Sequence, residues 1–259
     1  MKICVLMKQV PDKNASLKIA ADNCSLMNEN ITLACNESDN YALEEALLIK
    51  EQHGGEVVAC TLGQQTAPQI LKDAMAKGAD RSIFISDEKF EKLDILSIGK
   101  VFVSALKNEN FDLILSGLQS DDHGNSQLGL ILSELLNMSH ASLVMGTEIL
   151  NDNTIKVKRE LENGWFQWSE LSLPSSISIQ SGINTPRYAT LKGIMMVKNK
   201  TTDTFNAQDL NMEHMNAHTN LENLYVPQKS KETQFIDGTT DEVVEKLVDV
   251  LKNEIKVMN

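Results

Sequence analysis

The sequence predicts a doubly wound α/β fold, with a mostly parallel sheet, helices on both of its faces, an antiparallel extension and a C-terminal arm. Short apolar runs at Ile3–Met7, Glu56–Leu62, Ser82–Ile85 and Leu113–Ser116 alternate with segments whose apolar residues recur at helical spacing. The runs are continuous rather than alternating, as expected of parallel strands buried on both faces. After Leu136 the pattern changes to strand-like runs divided by turn residues, Asn151-Asp152-Asn153 and Glu162-Asn163-Gly164, which predicts antiparallel pairing.

Taken in order, Ile3–Met7 is a central strand, and Lys8, Gln9, Pro11 and Asp12 form its exit loop, followed by a small hairpin over Leu26–Leu33. Ser38 or Asp39 caps a helix whose stripe of Ala42, Leu43, Ala46, Leu47 and Ile49 ends at His53-Gly54-Gly55. Strand Glu56–Leu62 leads past Gly63 to a helix over Thr66–Lys77, and strand Ser82–Ile85 leads to a helix over Asp94–Leu106. Strand Leu113–Ser116 opens into a polar loop and a helix over Gln127–Leu136, with Asn125 or Ser126 as cap. The runs Leu143–Leu150, Thr154–Leu161, Phe166–Leu173 and Ser176–Gln180 then extend the same sheet. This gives an α/β domain over 1–200. Beyond it, 201–259 is expected to form an extended polar arm and a final amphipathic helix over Asp241–Lys256, packed on a partner subunit.

Composition narrows the functional classes. The chain has 259 residues, 24 basic and 36 acidic, for a net charge of −12. This charge argues against nucleic acid or an anionic membrane surface as partner. No apolar run reaches the roughly 18 residues of a membrane span, and the N-terminal run ends at Lys8-Gln9, short of a signal segment; a cytoplasmic location is expected. Cysteines at 4, 24, 35 and 60 show no C-x-x-C and no zinc spacing, which predicts free thiols and no metal site. His214 and His218 would lie one turn apart on a helix, with no acid of evident role beside them.

The residues that point to a ligand lie between Phe111 and Gly129, FDLILSGLQSDDHGNSQLG. A polar loop at the carboxyl end of a parallel strand, followed by a helix start with exposed amides, suits a phosphate-bearing molecule; an ordinary turn with a capping residue would leave the same trace. No G-x-x-x-x-G-K-[ST] and no G-x-G-x-x-G is present. The adjacent acids Asp121 and Asp122 suit ribose hydroxyls, solvent or a basic partner better than a phosphate.

Several segments together resemble the β subunit of electron-transfer flavoprotein: MKQVPD at 7–12, NESDNYALEEALLIKE at 36–51, AMAKGADRSIFI at 74–85, SGLQSDDHGNSQLGLILSELL at 116–136, KRELENGW at 158–165 and INTPRYATLKGI at 183–194. They stand in the family's order and cover residues 1 to about 200; the tail from Tyr225 is similar to the branch serving methylated-amine dehydrogenases. The resemblance implies an adenine-nucleotide-hydrolase-like fold in a heterodimer whose α subunit carries the redox FAD while this chain holds AMP. The chain would then be an electron-carrier subunit without catalytic residues of its own. The implied AMP pocket comprises Leu6, Asn36, Glu37, Ser38, Asp39, Leu62, Gly63, Gly117, Gln119, Asp122, Asn125, Ser126, Gln127 and Leu128, with the phosphate on the amides of 125–127 and Asp122 turned away from it or toward ribose.

By the same resemblance, a loop at about 183–198 recognises a flavin-containing dehydrogenase through Tyr188, Leu191, Ile194 and Met195, within a locally basic surface of Arg187, Lys192 and Lys198. Lys13, Arg159 and Glu160 would lie near the flavin or the α subunit, although Arg159 and Glu160 would equally serve as a cross-strand charge pair. The chain departs from the family where many members have Asn-Pro-Phe in place of Asn36-Glu37-Ser38, and an aromatic residue in place of Lys13. Other readings are a bifurcating-type subunit with a second FAD in the β site, a free-standing adenine-nucleotide-binding enzyme, or an adenylate sensor. The enzyme reading lacks a nucleophile–base pair, and KQVPD stands where such synthetases carry S-G-G-x-D-S.

Overall fold

The structure is a computed structural model and describes residues 1–27, 31–227 and 233–257. It separates into two units, Met1–Glu222 and Asn223–Asn259.

The first unit is built on a nine-stranded sheet in the order β11-β5-β4-β1-β6-β10-β7-β8-β9. Strand β1 (Lys2–Leu6) pairs in parallel with β4 (Glu56–Leu62) on one side and β6 (Leu113–Gly117) on the other. Its uninterrupted apolar run reflects two cores. Ile3 and Val5 pack with α1 (Glu37–His53) and α2 (Pro68–Lys77), while Cys4 and Leu6 enter the core that holds α3 (Ile95–Leu106) and Leu132 of α4 (Leu128–Leu136). Strand β5 (Arg81–Ile85) continues the parallel ladder from β4. Cys4 and Cys60 are both buried as free thiols, and burial raises the Cys60 pKa well above its ordinary value.

The antiparallel extension consists of β7 (Ser139–Asn151), β8 (Thr154–Glu160) and β9 (Phe166–Ser172). The run expected at Ser176–Gln180 departs from that pattern: β10 (Ser175–Ile179) inserts between β6 and β7 and is parallel to both. All five of its residues are buried, and a strand with no solvated face belongs inside the sheet rather than at its edge. Edge strand β9 leaves Phe166 and Trp168 exposed, with the ammonium groups of Lys158 and Lys156 over their rings at 4.0 and 5.0 Å.

The polar stretch after residue 200 is also placed differently from the expected arm. Residues Thr202–Phe205 form β11, an edge strand parallel to β5, and Ala207 and Leu210 are buried in the second core. Backbone pairing, invisible to apolar periodicity, holds this segment, so the first unit extends to Glu222. His214 and His218 lie in turns rather than on a helix, which removes the geometric basis for a shared metal. The exit loop after β1 contains β2 (Gln9–Pro11), paired antiparallel with β3 (Leu33–Cys35). An isolated bridge joins Ile19 to Leu26, and part of the expected 26–33 hairpin lies outside the described residues. In the second unit, α6 (Thr240–Asp249) follows Thr239, whose N–H donates to Glu242 Oε2 at 2.8 Å.

Ile177, fully buried in β10, tests this topology. Ile177→Ala is expected to reduce the unfolding free energy by about 2–5 kcal/mol, read from urea denaturation of the chain. A loss below about 1 kcal/mol would place this strand at the periphery.

Candidate functional site

The connections from β1 and β6 diverge: α1 carries the chain from β1 toward β4, whereas α4 carries it from β6 toward β7 on the other side. A crevice therefore opens at the carboxyl ends of β1 and β6, the switch point where doubly wound sheets bind ligands. Leu6 ends β1 there, and Leu62 ends the neighbouring β4 with Gly63 next in the chain.

The first turn of α1 closes this crevice. Asp39 accepts the Lys8 N–H on Oδ2 at 2.8 Å and the Gly117 N–H on Oδ1 at 2.9 Å, so one carboxylate ties together the chain leaving both strands. Asn36 donates through Nδ2 to the Ser38 hydroxyl at 3.0 Å and the Gln119 carbonyl at 2.9 Å, and its Oδ1 accepts the Asp121 N–H at 2.9 Å. Ser38 Oγ also donates to the Gln119 carbonyl at 2.8 Å. These contacts correct the expected cap. Asn36 occupies the N-cap position, and Ser38 and Asp39 are buried and spend their side chains on the β6 loop and the β1 exit rather than on their own helix. Glycine is required at 117, because a Cβ there would lie 2.1 Å from Ser38 Oγ and 2.4 Å from Asp39 Oδ1. Burial pushes the Asp39 pKa up to about 7, with the Lys8 and Gly117 amides acting in the opposite direction.

On the other wall, Asp122 is paired with the Lys8 ammonium at 2.7 Å. Burial opposes its ionisation, but the Lys8 hydrogen bond and charge and the Ser120 hydroxyl hold the carboxyl below the usual range. Asp122 is thus neutralised by a lysine of the same site, which sequence reasoning assigned only to an exit loop. The signal was present as a cation just after the buried first strand.

Beyond this pair, Ser126 has a left-handed backbone with φ 54°, and its hydroxyl donates to Gln119 Oε1 at 3.1 Å. It does not cap α4, nor does Asn125; Gln127 holds the N-cap position without a side-chain cap. The N–H groups of Leu128, Gly129 and Leu130 have no intrahelical acceptor. Gly129 lets this helix start lie against the sheet, since a Cβ there would come within 2.5 Å of Ser178 Oγ. An uncapped row of amides at a helix start is suited to an anion.

Of the remaining candidates, Lys13 lies next to the first turn of α1 and the β6 loop, and the others belong to β8 and to the segment around Leu191–Met196. Lys13 lines a cleft of about 180 Å³ with Pro11, Cys35, Glu37 and Asp121, on the β2–β3 side of α1. Tyr188 and Leu191 are 92 % and 82 % exposed, and Ile194 and Met195 are also exposed, on or beside the short helix α5 (Leu191–Met196). Arg187 is not part of a free basic surface: its guanidinium is engaged by Glu44 and Glu51 of α1. On β8, Arg159 donates to the Ser142 carbonyl at 3.0 Å while Glu160 accepts from Gln180 Nε2 at 3.0 Å. Arg159 and Glu160 are strand neighbours with separate partners. Among the described residues no group of three or more His, Cys, Asp or Glu is arranged to hold a metal.

Fold and crevice together define a doubly wound α/β domain with an uncapped helix start at its switch point. The electron transfer flavoprotein domain model matches residues 26–210. Electron transfer flavoprotein subunit beta of Methylophilus methylotrophus is 31 % identical over 99 % of both chains, and that of Bacillus subtilis 31 % identical over 100 % of both. The Caffeyl-CoA reductase-Etf complex subunit CarD of Acetobacterium woodii is 30 % identical over 98 % of this chain and 99 % of its own. The chain belongs to the electron transfer flavoprotein β-subunit family.

The Asp39 carboxyl carries a pH signature. With a folded pKa of about 7 against an ordinary value of about 3.9, the folded state keeps a proton that the unfolded chain releases. The stability this confers is full below about pH 4 and is lost as pH rises through about 7. Urea unfolding between pH 4.5 and 8 should show the wild type losing stability relative to Asp39→Asn across that window. A difference independent of pH would mean that Asp39 titrates in the ordinary carboxylate range.

Proposed function

We propose that this chain is the β subunit of a heterodimeric electron carrier, that it holds AMP in the crevice between β1 and β6, and that it docks a flavin-containing dehydrogenase on α5. The observation that carries the nucleotide reading is the uncapped start of α4 at the switch point, with Asp122 already neutralised by Lys8. In this reading the phosphate takes the amides of 125–127 that lead into the open start of α4, and Gly117 and Gln119 border the ribose. Asp39, Asn36 and Ser38 act indirectly, by holding the β1 exit and the β6 loop at a fixed separation. FAD, carried mainly by the α chain, supplies the redox chemistry. This chain contributes no bond-making group and acts by binding and positioning.

Pairing with an α chain is supported by the relatives' designation as subunit beta and by the second unit. None of the described residues of 223–257 is buried, and Tyr225, Phe235, Val244 and Leu247 are exposed. A segment under about 40 residues with no core of its own needs a covering surface. Similarity to the CarD subunit supports a second reading, a flavin in place of AMP in the same crevice.

Nucleotide released by acid from the purified chain separates the two: AMP at about one per chain supports the first reading, and stoichiometric FAD the second. Ser126→Asp sets a carboxylate against the phosphate, and AMP should be lost; full AMP content in this variant would move the phosphate elsewhere. Burying Leu191 at an interface contributes roughly 2 kcal/mol, so Leu191→Ala should weaken coupling to the dehydrogenase by more than about tenfold. Melting of the heterodimer should stay unchanged, as expected for a side chain 82 % exposed. Normal coupling with a lower melting point would remove the docking assignment.

A further inference from the structure

Helix α5 is six residues long, far below the length at which a helix persists on its own, and Leu191, Ile194 and Met195 point out to solvent rather than anchoring it. What holds it lies at its two ends and underneath. Upstream, Arg187 places Nε and Nη2 on the Glu44 carboxylate at 2.9 to 3.1 Å, while its own backbone N–H donates to Glu44 Oε2 at 3.0 Å. Nη1 and Nη2 reach Glu51 at 2.5 and 3.2 Å. Asn184 adds bonds from Nδ2 to the Tyr41 carbonyl at 3.1 Å and to Glu45 Oε2 at 2.9 Å. Downstream, Lys200 Nζ donates to the carbonyls of Met75 and Ala79 at 2.8 and 2.6 Å, at the C-terminal end of α2. Beneath, Gly193 sits so close to α2 that a Cβ would fall 2.1 Å from the Ala76 carbonyl oxygen.

We propose that Arg187 and Lys200 are positioning residues that pin the two ends of the Asn184–Lys200 segment to α1 and α2, so that its apolar side chains form a preformed docking surface. The proposal rests on the docking reading of Leu191 given above. Glu44 is buried, and the guanidinium meets it with paired donors, a geometry that fixes direction as well as distance. Lys200 neutralises the negative end of α2 while crossing it. Between these pins the segment has few conformations left to lose on docking, so the entropic cost of binding is met during folding.

The test uses the heterodimer with Arg187→Gln and, separately, Lys200→Met. Amides of 188–196 should exchange hydrogen at least tenfold faster in each, with exchange in the sheet unaltered. With a flavin-containing dehydrogenase that reduces the wild type, the carrier concentration for half-maximal rate should rise about tenfold at unchanged maximal rate. Adding Arg187→Gln to Glu44→Gln should change little further, because the pair acts as one unit. A purely structural role would lower the melting point and leave half-saturation alone, and that outcome overturns the proposal, as does unaltered exchange over 188–196. Leu191→Ala in the same assay distinguishes the two levels: if it has no effect, the docking reading fails and this proposal with it. If Leu191→Ala weakens coupling while Arg187→Gln and Lys200→Met do not, only the positioning roles are lost.

Discussion

A single buried carboxylate, Asp39, takes the Lys8 amide on one oxygen and the Gly117 amide on the other, and much of the molecule depends on that bridge. It brings the first turn of α1 against the ends of β1 and β6, which in turn excludes any side chain at 117. With Asn36 and Ser38 bonded to the 119–121 segment, the polar loop is fixed from one side while Lys8 holds Asp122 from the other. The crevice therefore keeps its shape through bonds to backbone groups, which are costly to leave unpaired when buried.

The opposite end of the sheet is organised differently. Arg81 at the start of β5 reaches Glu56 of β4 at 2.9 Å, Glu109 before β6 at 2.6 Å and Asp203 of β11 at 3.1 Å, and Lys2 of β1 joins the same Glu109 at 2.7 Å. Burial disfavours the charged guanidinium, yet Glu109 and Glu56 raise its pKa above the ordinary value. This network of half-exposed ions links β1, β4, β5 and β11 to the turn before β6, at the end away from the crevice, where long side chains can serve.

The parallel strands were legible because burial on both faces leaves a continuous apolar run, and Glu56–Leu62 coincides with β4 residue for residue. The direction of β10 was not legible, since neighbouring hairpins share its composition and only its complete burial, a property of the assembled sheet, distinguishes it. Thr202–Phe205 escaped because a mostly polar edge strand is held by backbone pairing. At the site, Asn36, Ser38 and Asp39 were visible as a polar cluster, but a capping residue and a residue bonded to a distant loop have the same composition. Arg187 illustrates the converse: its charge suggested a free basic surface, whereas its partners Glu44 and Glu51 lie some 140 residues earlier in the chain, a pairing that no local pattern records.

Helix α1 carries Asp39 in its first turn and Glu44 and Glu51 farther along, so the crevice and the clamp on the α5 segment share one rigid rod. At about 1.5 Å per residue, Asp39 and Glu51 are roughly 18 Å apart along its axis. In the proposed reading α1 therefore acts as a ruler: with no joint between its two ends, the separation between the crevice and the docking segment is set by the pitch of the helix.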